Sequence, residues 1–282
     1  MTISKGIIYI ATGEKFYNEA LSSALSAKQF NNTSICIFTE RTVVDTIFDE
    51  HVLLTDPEFS MLDKVKNIWK SPYNKTLYLD TDTYITGNLD AIFDSLDFVD
   101  FMASIECSRG FWYQDKISIP YPLPEFNGGV LAFNNSNEVI QTLMDWYAAQ
   151  KKSQLWLKNH LNDKWTLDAG KEKWMITLDQ PSLREIIWKN KNIRVANLSD
   201  EYNALVFSGT RLWGPALIVH GRGAISKYAK QMNGNKWDNR IYFQGCGTLR
   251  PFNEISFMES ISQIFRIIKL TIYLKLKKIF KL

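Results

Sequence analysis

Cysteine is scarce in this sequence. Its 282 residues include three cysteines, Cys36, Cys107 and Cys246. Their spacing matches neither a cluster of metal ligands nor the even-numbered framework of a disulfide-stabilised protein. Because free thiols persist in reducing compartments, we expect reduced cysteines and a cytoplasmic location.

Long apolar stretches are also missing. No run of about 20 uncharged apolar residues is present, which argues against a membrane-spanning helix. The N-terminal sequence MTISKGIIYIATGEK has only a short apolar run, from Ile7 to Ala11. This run predicts a first core strand rather than a secretory signal peptide.

The body of the chain has no excess of positive charge. The formal net charge is +3, yet residues 261–282 alone contain six Lys or Arg and no acid, so the preceding residues sum to about −3. This balance argues against nucleic-acid binding. We therefore divide the chain into a main domain, residues 1–250, and a basic C-terminal tail, residues 251–282.

The tail has the pattern of an amphipathic helix. On a helical wheel of residues 261–282, the apolar side chains fall on one side and most of the lysines lie opposite. Such a helix can lie in an anionic membrane surface, which would place the protein on the inner face of the membrane. The alternative is a terminal helix packed on the protein body or on a partner.

Short apolar runs alternate with helical patterns along the main domain. Hydrophobic residues make up 45% and aromatic residues 13% of the chain, as in folded globular proteins. The predicted strands are Gly6–Ala11, Ser34–Phe38, Val52–Leu54, Thr76–Asp80, Phe98–Ser104, Val130–Phe133 and Ala216–His220. The predicted helices are Asn18–Lys28, Phe59–Lys70, Glu138–Gln150 and Ser182–Lys189. This alternation predicts an α/β fold with a mostly parallel sheet, in which ligands bind beyond the carboxyl ends of strands.

One predicted strand runs directly into two acids. In LYLDTDTYITGNLD, Asp80 and Asp82 follow the strand with only Thr81 between them. Two neighbouring carboxylates repel each other unless a cation separates them, and a hard divalent ion prefers oxygen ligands. Helix capping or turn formation is the alternative. The preceding strand favours a cation site.

This segment resembles the D-x-D motif of GT-A glycosyltransferases, which use nucleotide-sugars. It is most similar to the family-eight group, which includes glycogenin and bacterial lipooligosaccharide galactosyltransferases. Further segments match in the same order, over roughly residues 5–230: IYIATGEKFYNEA, FNGGVLAFN (126–134), LDQPSL (178–183) and IVHGRGAISK (218–227).

The resemblance implies a metal-dependent nucleotide-sugar site. Asp80, Asp82 and His220 would bind Mn²⁺ or Mg²⁺, and the histidine favours Mn²⁺. The remaining donor-binding residues would be Ala11, Thr12, Tyr17, Lys64 (with Lys66 as the competing choice), Thr81, Arg222, Gly223 and Lys227. Asn127, Asp179 and Gln180 would face the donor sugar, and Glu106 matches more weakly. Lys227 lies one position later than the family's lysine, so Arg222 is an alternative contact for the diphosphate.

The implied reaction moves a hexose from a nucleotide-diphosphate sugar, with UDP as the expected nucleotide, to a glycan or lipid-linked acceptor. Such a reaction belongs to cell-surface polysaccharide or lipopolysaccharide synthesis. The group's retaining stereochemistry, without an obvious carboxylate nucleophile in the sequence, favours front-face displacement. The aromatic and proline-rich loop Gly110–Glu125 is a candidate acceptor site, since aromatic faces stack on sugar rings.

Three other functions compete with this interpretation. A HAD-like phosphatase also places D-x-D after a strand, but its motif lies nearer the N-terminus, and Tyr84 occupies a position where that family has Thr or Val. A sugar-nucleotide pyrophosphorylase would need a glycine-rich basic loop after the first strand. A non-catalytic carbohydrate-binding protein on the same scaffold would have no need for Asp80, Asp82 and His220.

Overall fold

The computed structural model describes residues 5–106, 119–120, 122–159, 178–205, 216–221, 241–243 and 249–251. The helices in these ranges are α1 (Glu14–Phe30), α2 (Met61–Asn67), α3 (Asp90–Ser95), α4 (Asn137–Asn159) and α5 (Gln180–Lys189), with short 3₁₀ turns at Ile68–Lys70 and Asp200–Tyr202. The strands are β1 (Lys5–Ile10), β2 (Ser34–Thr39), β3 (Glu50–Leu53), β4 (Lys75–Leu79), β5 (Thr83–Ile85), β6 (Phe101–Ile105), β7 (Phe126–Asn134), β8 (Val195–Asn197), β9 (Ala204–Leu205), β10 (Ile218–His220), β11 (Ile241–Phe243) and β12 (Leu249–Pro251).

The central sheet confirms the predicted α/β class. Its strand order within the described residues is β3-β2-β1-β4-β7-β6-β8. Neighbours pair in parallel, except that β7 runs antiparallel to both β4 and β6. The carboxyl ends of β1, β2 and β4 therefore meet at one edge, and the amino end of β7 joins them there.

Both faces of the sheet are covered by hydrophobic side chains. Successive side chains of a strand point to opposite faces, so in β1 Ile7 and Tyr9 join one buried cluster while Ile8 and Ile10 join the other. Helix α1 packs small side chains on the first face, and α2, α4 and α5 pack on the second. Burial on both faces explains why β1 is continuously apolar from Ile7 to Ile10.

Element boundaries differ from the prediction in several places. The strand predicted at Val130–Phe133 extends over Phe126–Asn134, because Asn127, Gly128 and Gly129 are buried in the sheet although their residue types are rare in strands. The strand predicted from Phe98 begins only at Phe101. Phe98 is 76% exposed, and its amide donates to the Ser95 carbonyl in a turn.

A second, small sheet was not predicted. Strand β5 follows the acid pair and runs antiparallel to β10, which pairs in parallel with β9. The register places His220 opposite Thr83. His220, which is distant in sequence, is thereby brought beside Asp80 and Asp82.

Apart from Pro251, the last residue of β12, the C-terminal tail lies outside the described residues, so the division at residue 250 stays a prediction. None of the helices in the described ranges has the length and apolar character needed to cross a membrane.

Candidate active site

The structure brings together the three predicted metal ligands. One ligand atom from each of Asp80, Asp82 and His220 lies within 4.8 Å of the others. The Nε2 atom of His220 is 3.4 Å from an oxygen of Asp82 and 3.7 Å from an oxygen of Asp80. Two carboxylates and an imidazole can together bind a divalent metal, and three protein ligands leave coordination positions for a substrate. The residues present therefore fit a divalent metal.

Backbone hydrogen bonds hold this arrangement. The Asp80 amide donates to the Gly129 carbonyl (2.7 Å) and the Gly221 amide to the Asp82 carbonyl (3.0 Å). Gly129 is also required sterically, because a Cβ atom there would lie 2.1 Å from Cε1 of His220. The second glycine of FNGGV therefore makes room for the imidazole ring.

The acids favour a positive charge at His220. Burial alone would lower the pKa of its imidazole, but the hydrogen bond with Asp82 and the charges of Asp82 and Asp80 outweigh burial, so the pKa is raised above its ordinary value. A group of acids that stabilises a proton here would also stabilise a metal cation.

Lys64 places a positively charged ammonium group beside the acid pair. It is 4% exposed, forms a salt bridge with Asp179, lies 3.4 Å from Asp80 and donates to the Gly128 carbonyl. Burial would lower the pKa of Lys64, but Asp179 and Asp80 raise it above its ordinary value. The structure thus places Lys64 in the site.

Lys66, the competing choice, lies elsewhere. Its ammonium group forms an ion pair with Asp56 at a distance of 2.6 Å. The Asp56 side chain is 79% exposed, so this pair lies on the surface. Residues two apart on a helix do not share a face, so only one of the two lysines can reach the site.

A pocket of about 530 Å³ adjoins the acids. It lies beyond the carboxyl ends of β1 and β4, where ligands bind in open α/β sheets. Its lining residues are Ile10, Thr12, Phe16, Phe59, Ser60, Met61, Asp63, Lys64, Tyr78, Asp80, Thr81, Asp82 and Leu178. A larger cavity of about 1010 Å³ lies between α4 and α5 and contains none of the predicted site residues.

Thr12 and Thr81, which the resemblance assigns to donor binding, line this pocket. Thr12 donates from its hydroxyl to Asp63 (2.8 Å), and Thr81 donates to Glu19 (2.9 Å). Ala11 is fully buried, and its amide donates to the Phe38 carbonyl.

Tyr17 does not line the pocket. It is 6% exposed, packs on Phe48 and donates from its hydroxyl to Asp45. Burial and Asp45 raise its pKa to about 12. Phe16 and Phe59 line the pocket instead. The sequence interpretation missed both. Adjacent residues on a helix point in different directions, so Tyr17 is buried in the core while Phe16, which also packs against that core, lines the pocket.

Two of the residues expected near the sugar, Asn127 and Gln180, bond the buried carboxylate of Glu106. An oxygen of Glu106 accepts from the side-chain amides of Asn127 (2.8 Å) and Gln180 (2.7 Å). Asp179 lies next to Gln180 and pairs with Lys64. Arg222, Gly223, Lys227 and most of the loop Gly110–Glu125 lie outside the described residues.

Solved structures that resemble this chain include glycosyltransferases. The galactosyltransferase LgtC, in complex with donor and acceptor sugar analogs, matches over 81% of this chain and 94% of its own, with 15% identity and a TM-score of 0.50. GlyE of Streptococcus pneumoniae TIGR4 matches over 84% of this chain, with 16% identity and a TM-score of 0.52, and the match spans 62% of GlyE. Mouse xyloside xylosyltransferase 1 matches over 79% of this chain and 99% of its own, with 12% identity and a TM-score of 0.50.

The chain has the fold of these glycosyltransferases. No protein-family model and no curated protein matches the sequence. At identities of 12–16%, the structural likeness establishes the fold, and the activity has to be argued from the site. The fold agrees with the GT-A resemblance and gives no support to the phosphatase alternative.

Proposed function

We propose that the protein is a metal-dependent glycosyltransferase that moves a hexose from a nucleotide-diphosphate sugar to a glycan or lipid-linked acceptor. One observation carries this proposal. Asp80, Asp82 and His220 converge at the carboxyl end of β4, next to a pocket, in a fold shared with glycosyltransferases. The cell-surface polysaccharide or lipopolysaccharide pathway is the expected setting.

The chemistry needs negative charge to be stabilised on the departing diphosphate. A divalent metal bound to Asp80, Asp82 and His220 would supply most of that stabilisation. The ammonium group of Lys64 lies in the same pocket and can contact a phosphate oxygen. Arg222 and Lys227, close to His220 in sequence, are proposed to assist.

The sugar would lie against Asn127, Asp179 and Gln180. The carboxylates among and beside these residues are already engaged, Asp179 by Lys64 and Glu106 by two side-chain amides. We therefore favour front-face displacement with retention, in which the leaving phosphate helps to deprotonate the acceptor. A glycosylated side chain captured by mass spectrometry would contradict this route.

The donor can be identified by thermal shift. UDP-galactose and UDP-glucose are the first choices, and the galactosyltransferase LgtC among the structural neighbours supports including galactose. A ligand stabilises the folded state by mass action, so a true donor at about 100 times its Kd should stabilise by roughly 2.7 kcal/mol. We expect a rise in Tm only when Mn²⁺ and donor are both present. A rise that is the same without metal would contradict the proposed site.

Phe59 is proposed to stack on the nucleotide base. Its side chain is 62% exposed at the pocket, and its backbone has φ of 50°. A left-handed conformation costs a residue other than glycine roughly 1–2 kcal/mol, so the position of this ring is maintained against strain. Phe16 lines the same pocket and offers a second aromatic surface.

Phe59→Ala should therefore weaken donor binding about 5- to 150-fold, since base stacking on an aromatic ring contributes roughly 1–3 kcal/mol. The measurement is the Kd of the nucleotide-sugar by calorimetry with Mn²⁺ present. Phe98→Ala is the matched control, because Phe98 is equally aromatic and 76% exposed but does not line the pocket. Equal affinity in both variants would rule out stacking on Phe59.

We also propose that residues 261–282 bind an anionic membrane surface, where an enzyme with a lipid-linked acceptor would work. Each of the six basic residues would contribute about 1 kcal/mol near such a surface. The full chain should sediment with anionic vesicles, and a chain ending at Glu259 should stay in the supernatant. Equal sedimentation of the two chains would show that the tail is not the membrane contact.

A further inference from the structure

Asn203 is a buried residue that lies behind the candidate metal site. It is 2% exposed and follows the 3₁₀ turn Asp200–Tyr202, directly before β9. Strand β9 pairs in parallel with β10, and the register places Leu205 opposite His220. Asn203 lies two residues before Leu205, on the same face of the strand, so its side chain can reach His220 diagonally. The Asn203 side-chain oxygen is 2.9 Å from Nδ1 of His220, and its NH₂ group donates to the side-chain oxygen of Asn127 at 3.0 Å.

The orientation of both amides is fixed by groups whose hydrogen-bonding roles are unambiguous. The Asn127 oxygen accepts from the backbone N–H of Gly129 (2.9 Å), which can only donate. The Asn127 NH₂ group donates to the carboxylate of Glu106 (2.8 Å). Asn127 therefore presents an oxygen to Asn203, so Asn203 turns its NH₂ group toward Asn127 and its oxygen toward His220.

This orientation determines which nitrogen of the imidazole carries the proton. An amide oxygen can only accept, so Nδ1 of His220 has to be the N–H donor. In the neutral ring the lone pair is then on Nε2, the nitrogen that lies nearest to Asp80 and Asp82. A metal-binding histidine needs this arrangement, because the hydrogen bond at one nitrogen orients the ring and directs the other nitrogen to the metal.

We propose that Asn203 is a positioning residue, which holds His220 with Nδ1 protonated and Nε2 directed at the metal. Glu106 and the Gly129 amide anchor this chain of hydrogen bonds at its far end. The carboxylate of Glu106 also accepts from Gln180, so the same chain links the metal ligand to a residue expected beside the sugar. The metal-binding part of this inference rests on the proposed function, whereas the protonation of Nδ1 does not.

The direct test is nitrogen NMR of ¹⁵N-histidine-labelled protein, without metal and at a pH above the pKa of His220. His220→Gln assigns the signals. We expect the neutral ring of the wild type to carry its proton on Nδ1. In Asn203→Ala the Nε2–H form should become prominent, because no acceptor then faces Nδ1. A wild-type ring protonated on Nε2, or an unchanged ring in Asn203→Ala, would overturn the proposal.

The second measurement is Mn²⁺ affinity, from the electron paramagnetic resonance signal of free Mn²⁺. Loss of a group that orients a metal ligand costs about 10- to 100-fold in metal affinity, and we expect this loss in Asn203→Ala. Asn203→Asp keeps an acceptor for Nδ1 while losing the donor to Asn127, so it should retain Nδ1–H and most of the Mn²⁺ affinity. Equal loss in the two variants would indicate a merely structural role and overturn the proposal.

Asn31→Ala is the matched control. Asn31 is also buried, and its side chain bonds the backbone of Ala27, Gly87 and Leu89, with no contact to the site. It should lower Tm without changing Mn²⁺ affinity, and a comparable loss of affinity there would contradict a specific role for Asn203. If the wild type binds no Mn²⁺, the proposed metal site fails, and the NMR result still decides the role of Asn203.

Discussion

Asp82→Ala should reduce the rate of sugar transfer by on the order of 100- to 1,000-fold or more while leaving the chain folded. The acid supplies one of three proposed metal ligands, and stabilisation of the departing diphosphate by a metal contributes several kcal/mol. Each 1.36 kcal/mol lost is a tenfold loss in rate. The measurement is the transfer rate at saturating nucleotide-sugar and Mn²⁺, with circular dichroism to verify the fold.

Two further variants make the Asp82 result specific. Asp82→Asn keeps the shape of the side chain and removes its charge, so it should lose most of the activity as well. Asp97→Ala removes an acid whose side chain is 60% exposed and pairs with Lys75 on the surface. It should transfer sugar at the wild-type rate. Unchanged transfer in Asp82→Ala would contradict the assignment of the site.

The stability of the metal-free protein should change little in Asp82→Ala. Removing Asp82 relieves its repulsion with Asp80, but it also removes the partner that raises the pKa of His220. These two effects oppose each other. We therefore expect little net change in the free energy of unfolding, so a fall in activity could not be attributed to unfolding of the variant.

Local patterns were enough to predict the fold class and the acid pair. The apolar run before Asp80 predicts a buried strand, and in an α/β protein the end of such a strand is where ligands bind. His220 could not be paired with these acids from the residues alone, because 138 positions separate it from Asp82. Only the antiparallel pairing of β5 with β10 brings them together.

Side-chain direction explains most of the remaining differences between the residues predicted for the site and those the structure places there. Phe16 and Tyr17 are equally aromatic, and the helix position alone decides which one is buried under Phe48 and which one lines the pocket. Asn203 was missed for another reason. Its role depends on the hydrogen bonds of Asn127 and His220, which come from distant parts of the chain and leave no local pattern.

Lys64→Met should destabilise the metal-free protein by about 3–5 kcal/mol. Lys64 lies between Asp179 and Asp80, and its side chain is 5% exposed. Removing one partner of a buried ion pair leaves the other charge without compensation, which is strongly destabilising. The free energy of unfolding can be measured by urea denaturation at neutral pH. Lys66→Met is the matched control and should change stability little, because the pair of Lys66 with Asp56 is exposed to solvent.

The double variant Lys64→Met/Asp179→Asn identifies the source of the loss. If the uncompensated Asp179 carboxylate causes the destabilisation, removing its charge should restore most of the stability. A loss that persists unchanged in the double variant would instead point to lost packing of the lysine side chain.

Metal should then compensate in part for the missing lysine. In Lys64→Met, Asp80 loses its neighbouring ammonium group but keeps its place in the proposed metal site. Mn²⁺ should therefore raise the stability of Lys64→Met more than that of the wild type, measured as the difference in unfolding free energy with and without the ion. If Mn²⁺ stabilised both proteins equally, the metal and Lys64 would not both be neutralising the carboxylate of Asp80.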